Sequence, residues 1–270
     1  LALEMVADLG FAQLTSATGY SEYNESGQRD QTDLLLTFET GYELFPNFSA
    51  FTRENGNEDT FTQELRLVST NEGPFNWIVG AFYNDNQGDS LSQEFTPGFD
   101  QFAIDELGGL QLRPDSLEYY ELLDRTEKET ALFGELGYRI TDAWQVTVGA
   151  RWFKYENDVT SGFATPLADT VFGGAPPDSI DIDSQSSDVD DDDAIFKFNT
   201  SYDFSDDIMT YLTISEGYRL GGINSVPPCA VPLDPVQNVC ALPNEESFKP
   251  DTTTNYEIGV HSQLGDSLLL

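Results

Sequence analysis

Positive charge is scarce in this chain. Its 270 residues carry 12 Lys and Arg against 48 Asp and Glu, for a formal charge of −36. The basic residues form no cluster of the kind that phosphate backbones require, which excludes a general nucleic-acid binder. Long apolar runs are missing as well. None approaches the roughly 20 residues of a spanning helix, and a hydrophobic content of 39% is too low for a helical membrane bundle. Histidine occurs once, at His261, so a Ser-His-Asp site has a single available base, and no nucleophile elbow accompanies it. No CxxC, HExxH, Walker or dinucleotide fingerprint is present. These absences leave no catalytic residue, no metal ligand set and no cofactor to assign.

The start, LALEMVAD, has neither an initiator Met nor the regions of a signal peptide, and the ending DSLLL stops inside an apolar run. The chain therefore reads as an internal piece of a longer protein. Cysteine is nearly absent too. Cys229 and Cys240 lie close together in the Pro-rich stretch PPCAVPLDPVQNVC. They read either as a loop disulfide of an oxidising compartment, worth about 2–3 kcal/mol, or as two thiols in a flexible loop.

What is present is alternation. In AIFKFNTSYDF, Ala194, Phe196, Phe198, Thr200, Tyr202 and Phe204 fall on one side of a strand of period two, and Ile195, Lys197, Asn199, Ser201 and Asp203 on the other. The same reading predicts strands over Thr32 to Tyr42, Thr60 to Thr70, Phe75 to Asp85, Thr126 to Ile140, Trp144 to Asn157, Ile208 to Leu220 and Asp251 to Leu264. Less regular strands fall near Leu1 to Asp8 and Phe11 to Tyr23, and no segment reads as a convincing helix.

Short turns rich in Gly, Asn and Asp alternate with long polar stretches over 86–125, 158–193 and 221–250. In an antiparallel meander all short turns then share one end and all long loops the other, which is the asymmetry of an outer-membrane barrel. The segment 21–59 reads as one long loop, or as a loop plus a hairpin turning at Phe45-Pro46-Asn47.

Charge placement follows the same faces. Trp144, Val146, Val148 and Trp152 share an apolar face with Phe196 and Phe198 on the neighbouring strand, while Arg66, Arg139, Arg151, Lys197 and Arg219 take the opposite parity. This is expected if a Lys or Arg facing hydrocarbon at midplane costs about 2–4 kcal/mol. Lys154 and Glu216 break the parity toward the long-loop ends. Trp144, Trp152, Tyr138, Tyr202 and Phe204 fall near strand ends, where aromatic girdles form.

The pattern specifies an all-β fold: an antiparallel up-and-down transmembrane β-barrel, present in part, with about ten to twelve strands of a larger barrel and all of residues 1–270 within it. A soluble β-sandwich also alternates, but does not require short turns at one end and long acidic loops at the other. The tract Asp178, Asp181, Asp183, Asp188 and Asp190 to Asp193 lacks the spacing of an EF-hand loop and reads as a solvated, self-repelling surface loop. Tyr218 and Arg219 have two readings: contact to a ligand entering from outside, or a girdle aromatic and a lumen charge. His261 reads as a lumen or packing residue.

Five segments carry a resemblance. FTQELRLVSTNEGPFNWIVGAFY (61–83), TALFGELGYRITDAWQVTVGARWFKYE (130–156), DIMTYLTISEGYRLGGIN (207–224), FKPDTTTNYEIGVHSQLGD (248–266) and DLGFAQLTSATGYSEY (8–23) resemble, in order and spacing, strands of the barrel of TonB-dependent outer-membrane receptors. The resemblance implies a bacterial outer-membrane receptor for energised uptake of a scarce nutrient, most commonly a ferric siderophore, and not an enzyme. It implies as partners the outer-membrane lipid, a small-molecule ligand, and the TonB complex through an N-terminal plug that this sequence does not contain. Such a barrel closes with about 22 strands, roughly twice those expected here. The alternative is a passive porin, or a structural or adhesive β protein of the outer membrane.

Overall fold

In a computed structural model of the chain, residues 1–38, 41–224, 229, 241–242, 244–264 and 268–269 are described. Among them, successive strands pair with their sequence neighbours, as β1 (Ala2–Asp8), β2 (Ala12–Asp30), β3 (Phe51–Ser69), β4 (Phe75–Phe95), β5 (Leu117–Thr141), β6 (Trp144–Ala164), β7 (Asp183–Ser205) and β8 (Ile208–Arg219). A two-residue ladder, β9 (Gly222–Ile223) with β10 (Ser247–Phe248), intervenes before β11 (Asp251–Leu264) and β12 (Leu268–Leu269) complete a ten-stranded sheet in the order β1-β2-β3-β4-β5-β6-β7-β8-β11-β12. Every ladder is antiparallel. The order does not return to β1, so the sheet is an unclosed piece of an up-and-down barrel.

The short-turn end is built by local chemistry. Gly10 turns with φ of 84° while its N–H donates to Asp8 Oδ1 (2.7 Å), a conformation that costs glycine nothing. Asn71 Nδ2 donates to Phe75 O across the β3–β4 turn (2.8 Å), and the Asp207 N–H donates to Ser205 Oγ between β7 and β8 (3.3 Å).

The strands run well past the alternating segments, which corrects the expected loops. β4 continues to Phe95 and β5 begins at Leu117; β6 continues to Ala164 and β7 begins at Asp183. The connections expected over 86–125 and 158–193 shrink to 96–116 and 165–182. β2 likewise pairs with β3 without a break from Ala12↔Ser69 to Asp30↔Phe51, so 21–59 is neither one long loop nor a loop with an extra hairpin. Alternation marks a strand only where its two faces meet different surroundings. Where both faces are wet, the ladder continues on polar residues and the period-two signal disappears.

The expected strand over Thr32 to Tyr42 is instead a helix, α1 (Thr32–Phe38), followed by a 3-10 turn, Tyr42–Leu44. Asp30 Oδ1 accepts the Thr32 N–H (2.9 Å) at the helix start, and a short apolar run such as Leu34 to Leu36 fits a helix as readily as a strand. Two further short helices, α2 (Phe99–Glu106) and α3 (Pro166–Val171), correct the expectation of none.

These helices bring three connections together at the long end. Leu35, Tyr42, Phe48 and Ala50 from 31–50, Phe99 and Ala103 from α2, and Leu167 and Val171 from α3 form one buried hydrophobic cluster, with Phe45 and Phe102 packed against it. Its rings meet at 4.6 Å (Tyr42 and Phe48), 4.7 Å (Tyr42 and Phe99) and 5.0 Å (Phe45 and Phe102), within the range in which aromatic pairs attract.

Candidate functional site

The two faces of the sheet differ in kind. On one, large apolar side chains stand bare: Leu132, Leu136, Val79, Val148, Trp144, Trp152, Phe196 and Phe198 are all exposed. Trp144, Val146, Val148 and Trp152 alternate along β6, and the ladder sets Phe198 opposite Val148 and Phe196 opposite Ala150, so the six residues expected against lipid share this face.

Aromatic rings bound the face in two rows. Near the short turns are Phe75 and Tyr138 (4.6 Å apart), Trp144, and Tyr202 with Phe204 (4.9 Å). Farther along are Tyr20, which the ladder sets beside Phe61, then Tyr83 and Trp152. Phe75 to Tyr83 and Trp144 to Trp152 are each a step of eight residues, about 26 Å along a strand. Trp152 is therefore mid-strand, not near the end of β6 as expected, and Lys154 lies just beyond its row.

The opposite face is polar and partly covered. Arg151 Nη2 pairs with Glu129 Oε1 (2.5 Å), and its Nε donates to the Tyr218 hydroxyl (3.2 Å), which itself donates to Glu129 Oε1 (2.6 Å). The Arg151 guanidinium stands 5.1 Å from the centre of the Phe82 ring. Tyr218 stacks on Phe153 at 3.8 Å and 12°, and Phe153, Ala131 and Tyr155 are buried beneath it. This arises because β8 parts from β7 after Ser215↔Lys197 while staying paired with β11 as far as Arg219↔Asp251. The end of β8 thus passes over β6, and the even-numbered side that is bare lower down rests on the covered face.

Below this cluster lies a cavity of about 350 Å³ walled by Glu64, Arg66, Phe133, Glu135, Arg151, Lys197 and Glu216. Each cation there has a carboxylate: Arg66 with Glu64 (3.5 Å), Lys197 with Glu135 (2.9 Å) and Arg151 with Glu129. The Lys197 pair crosses Gly149, where an added Cβ would stand 3.0 Å from Glu135 Cγ.

Toward the long end, a second cavity of about 590 Å³ is lined by Leu123, Arg125, Glu127, Asn157, Val159, Arg219, Gly222 and Phe248 among others. Buried Asn157 has no hydrogen-bond partner at Oδ1, which leaves an acceptor for a donor group. Near the end of the strands, burial foremost, then Glu121, Glu94 and Glu118, pushes the Tyr119 phenol up to about 12. The arrangement offers paired charges, aromatic surface and hydrogen-bond acceptors, which suit binding.

Tyr218 and Arg219 are not brought together. Tyr218 is no girdle aromatic; it belongs to the Arg151 and Glu129 cluster, because the end of β8 turns inward. Arg219 pairs with Asp251 (Nη2 to Oδ2, 2.6 Å) and borders the second cavity. Most of the acidic tract is strand, not loop. Asp190 to Asp193 alternate along β7, so their carboxylates do not converge; Asp190 lies 3.9 Å from Lys154 Nζ and Asp192 accepts the Trp152 indole N–H (2.9 Å). No metal-holding group of three acidic, His or Cys residues occurs among the described residues.

His261 stacks on Tyr211 at 5.5 Å, whose hydroxyl donates to Glu257 (2.5 Å). The Cys229 N–H donates to Ala241 O (2.8 Å), and Cys240, the other half of the expected bridge, lies outside the described residues. Parity alone passes over Glu129, Phe153 and Asn157. The signal that would have found the cluster is a break in the rule: Phe82, Phe133, Phe153 and Tyr155 are aromatic residues on the polar parity.

Residues 5–270 match the family model described as TonB dependent receptor-like, beta-barrel. Solved structures share the fold at low identity. The ferric yersiniabactin uptake receptor FyuA from Yersinia pestis is similar over 98% of this chain and 33% of its own, at 14% identity and a TM-score of 0.68. The siderophore receptor PiuA from Acinetobacter baumannii matches over 98% and 37%, at 14% identity and a TM-score of 0.58. The copper transporter OprC matches over 97% and 36%, at 14% identity and a TM-score of 0.51. The chain spans about a third of the length of each of these structures.

Proposed function

The chain belongs to the TonB-dependent receptor family, as part of its β-barrel, and from that premise we propose that it is part of the wall of an outer-membrane receptor that takes up a ferric siderophore. The observation that carries the membrane part is the bare apolar face between two aromatic rows eight residues apart. With strands tilted by about 35–45°, that step rises about 20 Å, comparable to an apolar band about 25 Å tall flanked by aromatic girdles. The bare face meets lipid, and the polar face, with its paired charges, lines the interior. The ligand enters from the long-connection end, where the cavity at Asn157 and Arg219 supplies acceptors and apolar surface, and TonB acts through the plug of the whole receptor. The siderophore reading draws on FyuA and PiuA, which are siderophore receptors by name; OprC, a copper transporter, marks the competing cargo.

The test is uptake by the intact receptor. Cells lacking it are supplied with iron as ferric siderophores, or with copper, as the only source of the metal. Loss of growth on ferric siderophores, restored by the receptor gene, is the expected result. Unchanged growth on every siderophore together with lost copper uptake contradicts it.

A further inference from the structure

The connections 31–50, 96–116 and 165–182 share one buried core, and the second and third also share a buried cation. Arg113, in the second connection, is fully buried. Its Nε and Nη2 donate to Asp115 (2.7 and 3.1 Å), and its Nη1 donates to Ser179 O (2.6 Å) and Thr170 Oγ1 (3.3 Å) in the third connection. Its backbone N–H donates to Asp100 Oδ2 in α2 (3.0 Å). The Leu110 N–H donates to Val171 O at 2.7 Å, joining the second and third connections again. Tyr42 brings in the first, with its ring on Phe99 (4.7 Å) and its hydroxyl donating to Glu118 Oε1 at the start of β5 (3.0 Å).

We propose that these three connections form one preassembled lid, latched by Arg113, which opens as a single unit. Lifting any one connection exposes the shared aromatic core to water. Lifting the second or third also breaks the hydrogen bonds of the Arg113 guanidinium to Thr170 Oγ1 and Ser179 O, while its pair with Asp115, in the same connection, is kept; bonds to a charged donor are the stronger ones to lose. The lid is consequently ordered before any ligand arrives, and its capture of a ligand carries no entropy cost for arranging these segments. The inference holds whatever the cargo is.

Hydrogen exchange read by mass spectrometry on the full-length receptor in lipid nanodiscs tests it. In the wild type, the protected amides of α1, α2 and α3 should exchange through one opening, with protection equal within about threefold and the same sensitivity to low urea. Phe99→Ala should speed exchange in all three connections by at least about tenfold, and Arg113→Met should do so in 96–116 and 165–182 together. Acceleration confined to the connection that carries the substitution overturns the proposal. If neither variant reaches the membrane, the wild-type measurement decides: protections that differ by orders of magnitude, or separate urea slopes, overturn it as well.

Discussion

A single position shows how the surroundings of a strand set the meaning of a residue. Val148 and Thr147 are neighbours on β6, but Val148 is 48% exposed on the apolar face while Thr147 pairs across the sheet with Asn199 on the polar one. If the apolar face meets hydrocarbon, Val148→Arg costs about 2–4 kcal/mol near midplane, whereas an Arg at position 147 faces water. Folded receptor in the outer membrane, measured by heat-modifiable gel mobility, should fall severalfold or more for Val148→Arg and stay near wild type for Thr147→Arg. Equal losses would count against the assigned faces. Residues of this kind were legible in the sequence because parity alone determines their side. Tyr218 was not, because its side follows from the departure of β8 from β7 after Ser215, a tertiary event with no local signature.

Among the elements, strand position was legible and strand length was not. β6 has 21 residues, about 65 Å at ~3.3 Å per residue, roughly twice what crosses a bilayer. The alternation that begins at Trp144 fades before Asn157, so the part beyond Asn157 reads as loop. That upper part forms a collar whose outward side is rich in acids, with Asp124 set directly opposite Asp89 and Asp158 opposite Asp188. Like charges placed opposite each other oppose pairing by a few tenths of a kcal/mol to about 1 kcal/mol. Asp124→Arg should therefore leave the folded yield at wild-type level, and it should slow amide exchange in 120–126 at low salt by bringing a cation to Asp89. A loss of yield like that of Val148→Arg would mean that the collar lies inside the membrane. The helix at 32–38 was missed for a different reason: three leucines in a row carry no period, and they fit a helix as readily as a strand.

At the scale of the molecule, the resemblance of five segments identified the barrel because strands and short turns obey the bilayer, which is the same for every member of such a family. The long connections obey one another. Their shared core is assembled from residues as distant as Leu35 and Val171, and Arg113 is satisfied by Thr170 and Ser179. No local pattern encodes such contacts, so the candidate site and the lid became visible only in three dimensions. Which face of the sheet meets lipid decides whether these strands line a barrel as proposed. The most direct measurement places a nitroxide at Val148, Phe196, Thr147 or Lys197 of the full-length receptor in bilayers and compares collisions with oxygen, which concentrates in hydrocarbon, and with a water-soluble nickel chelate. High oxygen and low nickel accessibility at positions 148 and 196, absent at 147 and 197, is the predicted result; the reverse pattern, or no difference between the two pairs, contradicts it.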